Sequence, residues 1–268
     1  LFSGAVALPL EANLPAEDIA ERLSFTGARA LIHSAALADR AHEVKKLLPK
    51  LITGGFGTRL TDRVLALAHK ALDAGEPGVF DLPERDEDET AMLVFTSGTT
   101  SKPRGAELTI HGIRTFSDFW QSILHFVPGQ RTLMLLPLNH IFGISVTYTM
   151  LAHGVALGVC PDFRRIYEAV ERFRADFLFL VPALAEILAD KIAQKGRTAE
   201  EAGLSLRWLV AGGAPLPNRT YLKLKALGVQ PLIGYGLTET TALYSVAELE
   251  SPHPGSAGKC CHGFGGME

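Results

Sequence analysis

The sequence predicts an α/β fold: layered, mostly parallel sheets with helices on both faces. Two observations predict it. Short apolar runs alternate with longer amphipathic stretches along nearly the whole chain, the pattern of βαβ units. The composition, 47% hydrophobic and 21% charged over 268 residues, supplies enough apolar material for one large domain or two closely joined ones.

The elements follow in order. Ala5–Leu8 reads as a strand, reached from an apolar opening that resembles the end of a helix. Ala16–Phe25 reads as a helix, with Pro15 close to its start where a missing N–H costs nothing. A strand at Ala30–His33 and a helix at Leu37–Leu48 follow. The acidic stretch Asp81–Thr90, which contains Pro83, reads as a solvated connector. It leads into a strand at Met92–Phe95 and marks a division into residues 1–88, part of a first α/β subdomain, and residues 89–268, a second. Further strands are expected at Thr132–Leu136, Val155–Val159, Phe177–Val181, Leu206–Val210 and Pro231–Gly234. Helices are expected at Ile110–His125, Ile144–His153, Phe163–Arg174, Leu184–Lys195 and Asn218–Leu227. Both termini break off abruptly, so the fold is expected to be incomplete at both ends.

Several function classes fall away. A net charge of −3 gives no electrostatic footprint for nucleic acid. Cys160, Cys260 and Cys261 make no disulfide framework, and a reduced, cytoplasmic compartment is the default. No apolar run reaches the roughly 18–20 residues that span a bilayer.

The chemistry concentrates after the strand at Met92. Thr96-Ser97-Gly98-Thr99-Thr100-Ser101-Lys102-Pro103-Arg104-Gly105 packs hydroxyls, two glycines and two cations into one loop. Hydroxyls donate to phosphate oxygens, glycines admit close approach, and successive backbone N–H groups form an anion-binding nest. The spacing is not that of the P-loop, which needs G-x-x-x-x-G-K-[ST].

In its order, the loop resembles the T-S-G-T-T-G-x-P-K-G signature of the adenylate-forming superfamily: acyl-CoA synthetases, luciferases and non-ribosomal peptide adenylation domains. Ser101 stands for a glycine and Arg104 for a lysine. Arg104 keeps the charge but presents a planar fork. Three more segments match in the same order: Leu136-Pro137-Leu138-Asn139-His140-Ile141-Phe142-Gly143, Val210-Ala211-Gly212-Gly213-Ala214-Pro215-Leu216 and Gly234-Tyr235-Gly236-Leu237-Thr238-Glu239-Thr240. With Gly4–Leu10 and Pro254–Lys259, which also match, the likeness spans nearly the whole chain.

The resemblance implies a role for each residue. Thr96, Ser97, Gly98, Thr99, Thr100, Ser101, Lys102 and Arg104 bind phosphate. The backbone of Gly212, Gly213, Ala214 and Pro215 lies against one face of adenine, and Tyr235 with Gly236 covers the other. Thr238 bonds the α-phosphate, and Glu239, with Thr96 nearby, holds magnesium, a hard cation that takes carboxylate and phosphate oxygens. His140, Phe142 and Gly143 border the acyl pocket, where the imidazole could meet a carboxylate or a phosphate. Thr238, Glu239 and His140 are the implied catalytic residues.

Two family features have no counterpart before Glu268: the aspartate that holds the ribose, and the small C-terminal lid domain with its lysine. The chain is therefore expected to be an internal piece of a large domain, inactive by itself. The resemblance implies ATP, Mg2+ and coenzyme A as partners of a small carboxylic acid, with a cytoplasmic location that leaves room for peripheral membrane contact. The apolar helix with Val146, Tyr148 and Met150 favours a fatty acid. An acyl–acyl carrier protein synthetase, an aryl-CoA ligase, an amino-acid adenylation domain and a non-catalytic nucleotide-binding protein remain as alternatives.

Three features are set aside. Cys260-Cys261-His262, with His253 nearby, has no zinc-ligand spacing. Gly54-Gly55-Phe56-Gly57-Thr58-Arg59-Leu60 fails the dinucleotide fingerprint at Leu60 and reads as a loop. Phe116, Phe119 and Trp120 read as core packing.

Overall fold

The computed structural model describes residues 5–55, 85–96, 104–242, 244–247 and 253–260. It falls into two compact units. One takes Leu1–Ala5, Leu10–Arg85 and Ser97–Arg104; the other takes Val6–Pro9, Asp86–Thr96 and Gly105–Glu268.

In the first unit, α1 (Ala16–Phe25) starts after Pro15 and carries Glu17 and Asp18 in its first turn, where the helix dipole favours negative charge. It buries Ala16, Ile19, Ala20 and Leu23, a stripe at helical spacing. A short 3-10 turn (Ala35–Leu37) leads into α2 (Ala38–Leu47), which buries Ala41 and Val44. Between and after them run β1 (Ala30–His33) and β2 (Ile52–Gly55), paired in parallel with Ala30 opposite Ile52. Gly54 and Gly55, expected in a loop, end a strand; Phe56–Leu60 lie outside the described residues.

The second unit contains β3 (Thr90–Thr96) and, except for its first residue, β4 (Arg104–Thr109); the two strands are neighbours in a two-stranded sheet. The strand expected at Ala5–Leu8 is a single bridge, Ala7 to Met92, with Ala7 N–H donating to Ala91 O at 3.0 Å. Pro9 has no N–H with which to continue a ladder. Then comes α3 (Ile110–Leu124), whose first donors are all satisfied. Ile110 N–H donates to Glu89 O (3.1 Å), His111 N–H to Glu87 O (2.8 Å), and Gly112 N–H to the capping Thr109 Oγ1 (3.0 Å). The described end of the acidic connector is thus more than solvated chain: Glu87 and Glu89 cap a helix with their carbonyls, and the Glu87 carboxylate pairs with Arg114 and His111, while Asp81–Glu84 lie outside the described residues.

The main sheet has the order β11-β10-β9-β8-β7-β5-β6. Its parallel part comprises β5 (Arg131–Met134), β6 (Ala156–Val159), β7 (Phe177–Leu180), β8 (Trp208–Ala211) and β9 (Gln230–Tyr235). The short β10 (Ser245–Val246) and β11 (Lys259–Cys260), not anticipated from the sequence, add antiparallel beyond β9. Four helices make the crossovers: α4 (Ile141–Ala152), α5 (Ile166–Phe173), α6 (Pro182–Lys195) and α7 (Asn218–Ala226). Two begin earlier than expected, α4 by starting directly after His140 and α6 by using Pro182 in its first turn.

Side-chain alternation divides the sheet between two layers. Leu178, Leu180, Leu209 and Ala211 face α5, α6 and α7 in an aliphatic core with Ile166, Leu188 and Leu224. Phe177, Phe179, Trp208 and Val210 face α3 and α4 in an aromatic core with Phe116, Trp120 and Phe126. Strand order explains the split. The chain goes one way from β5 to β6, then reverses through β7, β8 and β9. Right-handed crossovers in opposite directions put their helices on opposite faces. Phe177 and Trp208, register partners, stack at 4.3 Å and 6°.

Tyr167 on α5 is buried in the aliphatic layer, and its hydroxyl donates to Ala202 O. Burial pushes its pKa up, with Glu171 and Glu168 adding to the shift. A raised pKa means stability that is complete below the ordinary tyrosine value near 10 and is lost as pH rises through the folded value. Tyr167→Phe should cost about 1 kcal/mol near neutrality and make stability less sensitive to pH above about 10. Denaturant melts at neutral and alkaline pH check this; an unchanged alkaline loss would count against it.

Candidate functional site

The reversal of strand order creates a switch point between the parallel neighbours β5 and β7. In open parallel sheets, ligands bind at such a point, beyond the carboxyl ends of the strands. Of the residues expected at the site, His140, Phe142, Gly143, Gly212–Pro215, Tyr235 and Gly236 follow the ends of the parallel strands β5, β8 and β9.

Beyond β5 the chain turns through Leu136 and Pro137, with His140 N–H donating to Pro137 O at 3.2 Å. His140 then stands exposed in the N-cap position of α4. Gly143 is where α4 meets this turn: a β-carbon there would lie 2.3 Å from Pro137 O. Phe142 points from α4 along the sheet edge. Its ring is edge-on to Phe179 at 6.3 Å and would touch a β-carbon at Gly212 at 3.2 Å. The acyl-pocket candidates and the glycine-rich strand end are therefore in contact.

At β8 and β9 the register does the positioning. Ala211 pairs with Ile233, so Gly212 and Gly213 run out beside Gly234 and Tyr235. Gly212 is buried, its N–H donating to Leu180 O at 3.1 Å, while Gly213, Ala214 and Pro215 are exposed. Tyr235 is 51% exposed and braced edge-on by Tyr244 at 6.2 Å. That brace lies nine residues on and carries no sequence signal. A flat backbone shelf and an aromatic ring thus flank one stretch of edge, with Gly236 half-buried after the tyrosine.

The chain then folds into a tight turn. Thr238–Thr240 form one 3-10 turn, with Leu237 N–H donating to Thr240 Oγ1 at 3.0 Å and Ala242 N–H to Leu237 O at 3.0 Å. Thr238 is half-buried, and Glu239 is exposed with no ion pair or hydrogen bond to its carboxylate among the described residues. Thr241 and Ala242 both take left-handed φ angles, 54° and 82°. For residues with a β-carbon such angles cost on the order of 1 kcal/mol or more each, and they persist where surrounding structure dictates them.

The phosphate-loop candidates are carried differently from those of a P-loop. Thr96 ends β3 and Arg104 opens β4, while Ser97, Gly98, Thr99, Thr100, Ser101 and Lys102 lie outside the described residues. Arg104 and Gly105, expected in the loop, are strand residues. A strand therefore separates loop from helix, and the first donors of α3 are already used within the fold. The hairpin itself packs by Met92, Val94 and Leu108 against Ile141, at the start of α4 next to His140.

The remaining candidates divide. Phe116, Trp120, Val146 and Met150 are buried in the aromatic core, and Tyr148 is half-buried. Cys260 lies in β11, whereas Cys261 and His262 fall outside the described residues. Among the described residues no three His, Cys, Asp or Glu side chains gather into a metal cage. A lone exposed carboxylate at Glu239, with the Thr96 hydroxyl as second candidate, suits magnesium, which keeps several waters and takes phosphate oxygens. No helix among the described residues is long and apolar enough to cross a membrane.

The fold is that of an α/β domain whose parallel sheet has a switch point between β5 and β7. The chain belongs to the AMP-binding enzyme family, whose model matches residues 1–264. It is 27% identical over 265 residues to the long-chain-fatty-acid–CoA ligase FadD13 of Mycobacterium tuberculosis, covering 96% of this chain and 50% of that protein. It is 31% identical over 268 residues to a feruloyl-CoA synthase of Amycolatopsis, covering 96% and 49%. The chain thus spans about half the length of the curated relatives it matches. In fold it is similar to the inhibitor-bound N-terminal domain of FACL13 from M. tuberculosis, with a TM-score of 0.78 and 23% identity over 97% of this chain and 64% of that one. It is equally similar to ATP-bound MatB from Rhodopseudomonas palustris, with a TM-score of 0.78 and 24% identity over 96% and 50%.

Proposed function

We propose that the protein to which this chain belongs activates a carboxylic acid with ATP and passes the acyl group to coenzyme A. The observation that carries this reading is the contiguous edge formed by Phe142, Gly212–Pro215, Tyr235 and the Thr238–Glu239 turn, in a chain of the AMP-binding family. Residues 89–268 form the nucleotide- and acyl-binding part.

A carboxylate oxygen attacks the α-phosphorus of ATP, and the bond from that phosphorus to the bridging oxygen breaks. Acyl-AMP and pyrophosphate result. A coenzyme A thiol then displaces AMP, giving the thioester. Adenine lies between the Gly212–Pro215 backbone and the ring of Tyr235, which fixes the α-phosphate near Thr238. Thr96, Ser97, Gly98, Thr99, Thr100, Ser101, Lys102 and Arg104 carry the outer phosphates, where two cations offset the charge leaving with pyrophosphate. His140 holds the carboxylate side. Glu239 and Thr96 would hold magnesium, which would supply charge neutralisation at the phosphates. Holding acid and phosphorus in line provides much of the rate.

A fatty acid is the substrate this reading favours, supported by the relative named as a long-chain-fatty-acid–CoA ligase; Val146 and Met150 of α4, expected to wall the acyl site, pack in the core instead. An aryl acid is the second reading, supported by the relatives named as feruloyl-CoA synthase and 3-hydroxybenzoate–CoA ligase. A cytoplasmic location goes with either. ATP–pyrophosphate exchange over a panel of fatty, aryl and amino acids tests them. Exchange with fatty acids is expected; exchange with aryl acids alone selects the second reading, and exchange with no acid overturns both.

A further inference from the structure

We infer that Tyr244 is a positioning residue for the nucleotide base: its ring holds the ring of Tyr235 at the angle at which the base stacks. The inference rests on the adenylation reading and adds a residue that the motifs do not contain.

Tyr235 ends β9 and puts a large ring at the sheet edge with half its surface in solvent. An exposed ring turns among its rotamers. Fixing it costs conformational entropy each time a base stacks on it, unless the fold has already fixed it. The fold supplies a neighbour that does so. The rings of Tyr235 and Tyr244 stand nearly perpendicular, at 86°, with centroids 6.2 Å apart, the edge-to-face arrangement that aromatic quadrupoles favour.

The backbone sets this pairing up. In the register of β9 and β10, Ser245 is opposite Tyr235 and Val246 is opposite Gly234. Tyr244 N–H nevertheless donates to Tyr235 O, at 2.7 Å. Two residues, Tyr244 and Ser245, therefore stand against one, the arrangement of a β-bulge. In a regular strand, alternation would send Tyr244 to the face away from Tyr235; the extra residue re-aims its ring.

The strand behind the brace is fixed. Ser245, Val246 and Ala247 are buried. Ala247 N–H donates to Ile233 O at 2.9 Å, and β11 pairs along the far side of β10 with Lys259 opposite Val246. Gly258 fits there because it has no side chain: a β-carbon would lie 1.9 Å from Val246 O. Tyr244 thus projects from the start of a strand held along both edges, in the same compact unit as Tyr235.

A brace on this ring acts on recognition of the base and not of the phosphates, which sets it apart from a general loosening of the site. The test is acid-dependent ATP–pyrophosphate exchange in the whole protein, with KM measured separately for ATP and for pyrophosphate, beside a thermal melt. Pyrophosphate is the probe that has no base. Tyr244→Ala should raise the KM for ATP about fivefold, the order of effect that one edge-to-face pair supplies. Its kcat and its KM for pyrophosphate should stay within about twofold of wild type. Tyr244→Phe, which keeps the ring, should bring the KM for ATP back to within about twofold. In a Tyr235→Ala background, Tyr244→Ala should add nothing further, since the ring it positions is gone. An unchanged KM for ATP in Tyr244→Ala, an equal rise in both KM values, or a full effect persisting without Tyr235 would overturn the assignment. So would Tyr244→Phe behaving like Tyr244→Ala, since the hydroxyl and not the ring would then be responsible. If Tyr244→Ala fails to fold, Tyr244→Leu, which fills space without a ring, takes its place under the same criteria. Wild-type protein with no exchange for any acid would overturn the adenylation reading; wild-type exchange that is indifferent to Tyr244 would overturn this assignment alone.

Discussion

Replacing Glu239 with Gln is expected to lower acid-dependent pyrophosphate exchange by about a hundredfold or more, with the fold intact. The side chain is exposed, and its carboxylate has no partner among the described residues, so the fold gains nothing from its charge. The turn is closed by Leu237, Thr240, Thr241 and Ala242, none of whose bonds uses the glutamate side chain. Surface changes of this kind usually stay within about 0.5 kcal/mol. Glutamine preserves the shape but offers a hard cation a neutral oxygen. Losing one preorganised charge interaction with the reacting phosphates commonly costs a factor of about 100–1,000 in rate. Higher magnesium should restore part of the activity by mass action. Exchange within about twofold of wild type would remove Glu239 from the proposed metal site, whatever the melting temperature.

Gly143→Ala is expected to destabilise the second unit by about 3 kcal/mol, the upper end of overpacking effects. The added methyl would lie 2.3 Å from Pro137 O, 3.0 Å from Pro137 C and 3.3 Å from Leu136 Cβ. Two of these are backbone atoms. Pro137 O also accepts from His140 N–H, so it cannot swing aside without breaking the turn that presents His140. The helix must instead back away from β5, taking Phe142 from Gly212. For a unit of this size, that destabilisation corresponds to a fall of about 6–12 °C in melting temperature. Differential scanning calorimetry would check it. A melt within about 2 °C of wild type would show that α4 leaves room for a methyl group beside Pro137.

The sequence disclosed elements better than faces. Phe177-Leu178-Phe179-Leu180 is apolar at every position, as strands buried on both sides are. That run identifies the strand, but its alternation between aromatic and aliphatic layers appears only when the packing is seen. β4 escaped because Arg104, Gly105 and Glu107 interrupt any apolar run. Ala5–Leu8 misled for the opposite reason: it is apolar, yet among the described residues it forms an isolated bridge, Ala7 to Met92, and no strand. At the site, motif order pointed to Gly212, Gly213 and Tyr235, and the β8–β9 register brings these distant residues side by side. The bracing of Tyr235 by Tyr244 left no periodic or compositional trace. It depends on a chain reversal whose geometry no local pattern encodes.

The separation of the sheet into an aromatic and an aliphatic layer also bears on how the protein can be observed. Its two tryptophans, Trp120 and Trp208, both lie in the aromatic layer, each within 6.1 Å of the ring of Phe179. Intrinsic emission is thus a spectroscopic label confined to one side of the sheet. Loosening of α3 or α4 would alter it at once. Loosening of α5, α6 or α7, whose core is built around leucine, isoleucine, alanine and tyrosine, would reach the tryptophans only through the strands. A fluorescence trace that runs ahead of circular dichroism would therefore report that the aromatic side opens first, and one that lags would report the reverse.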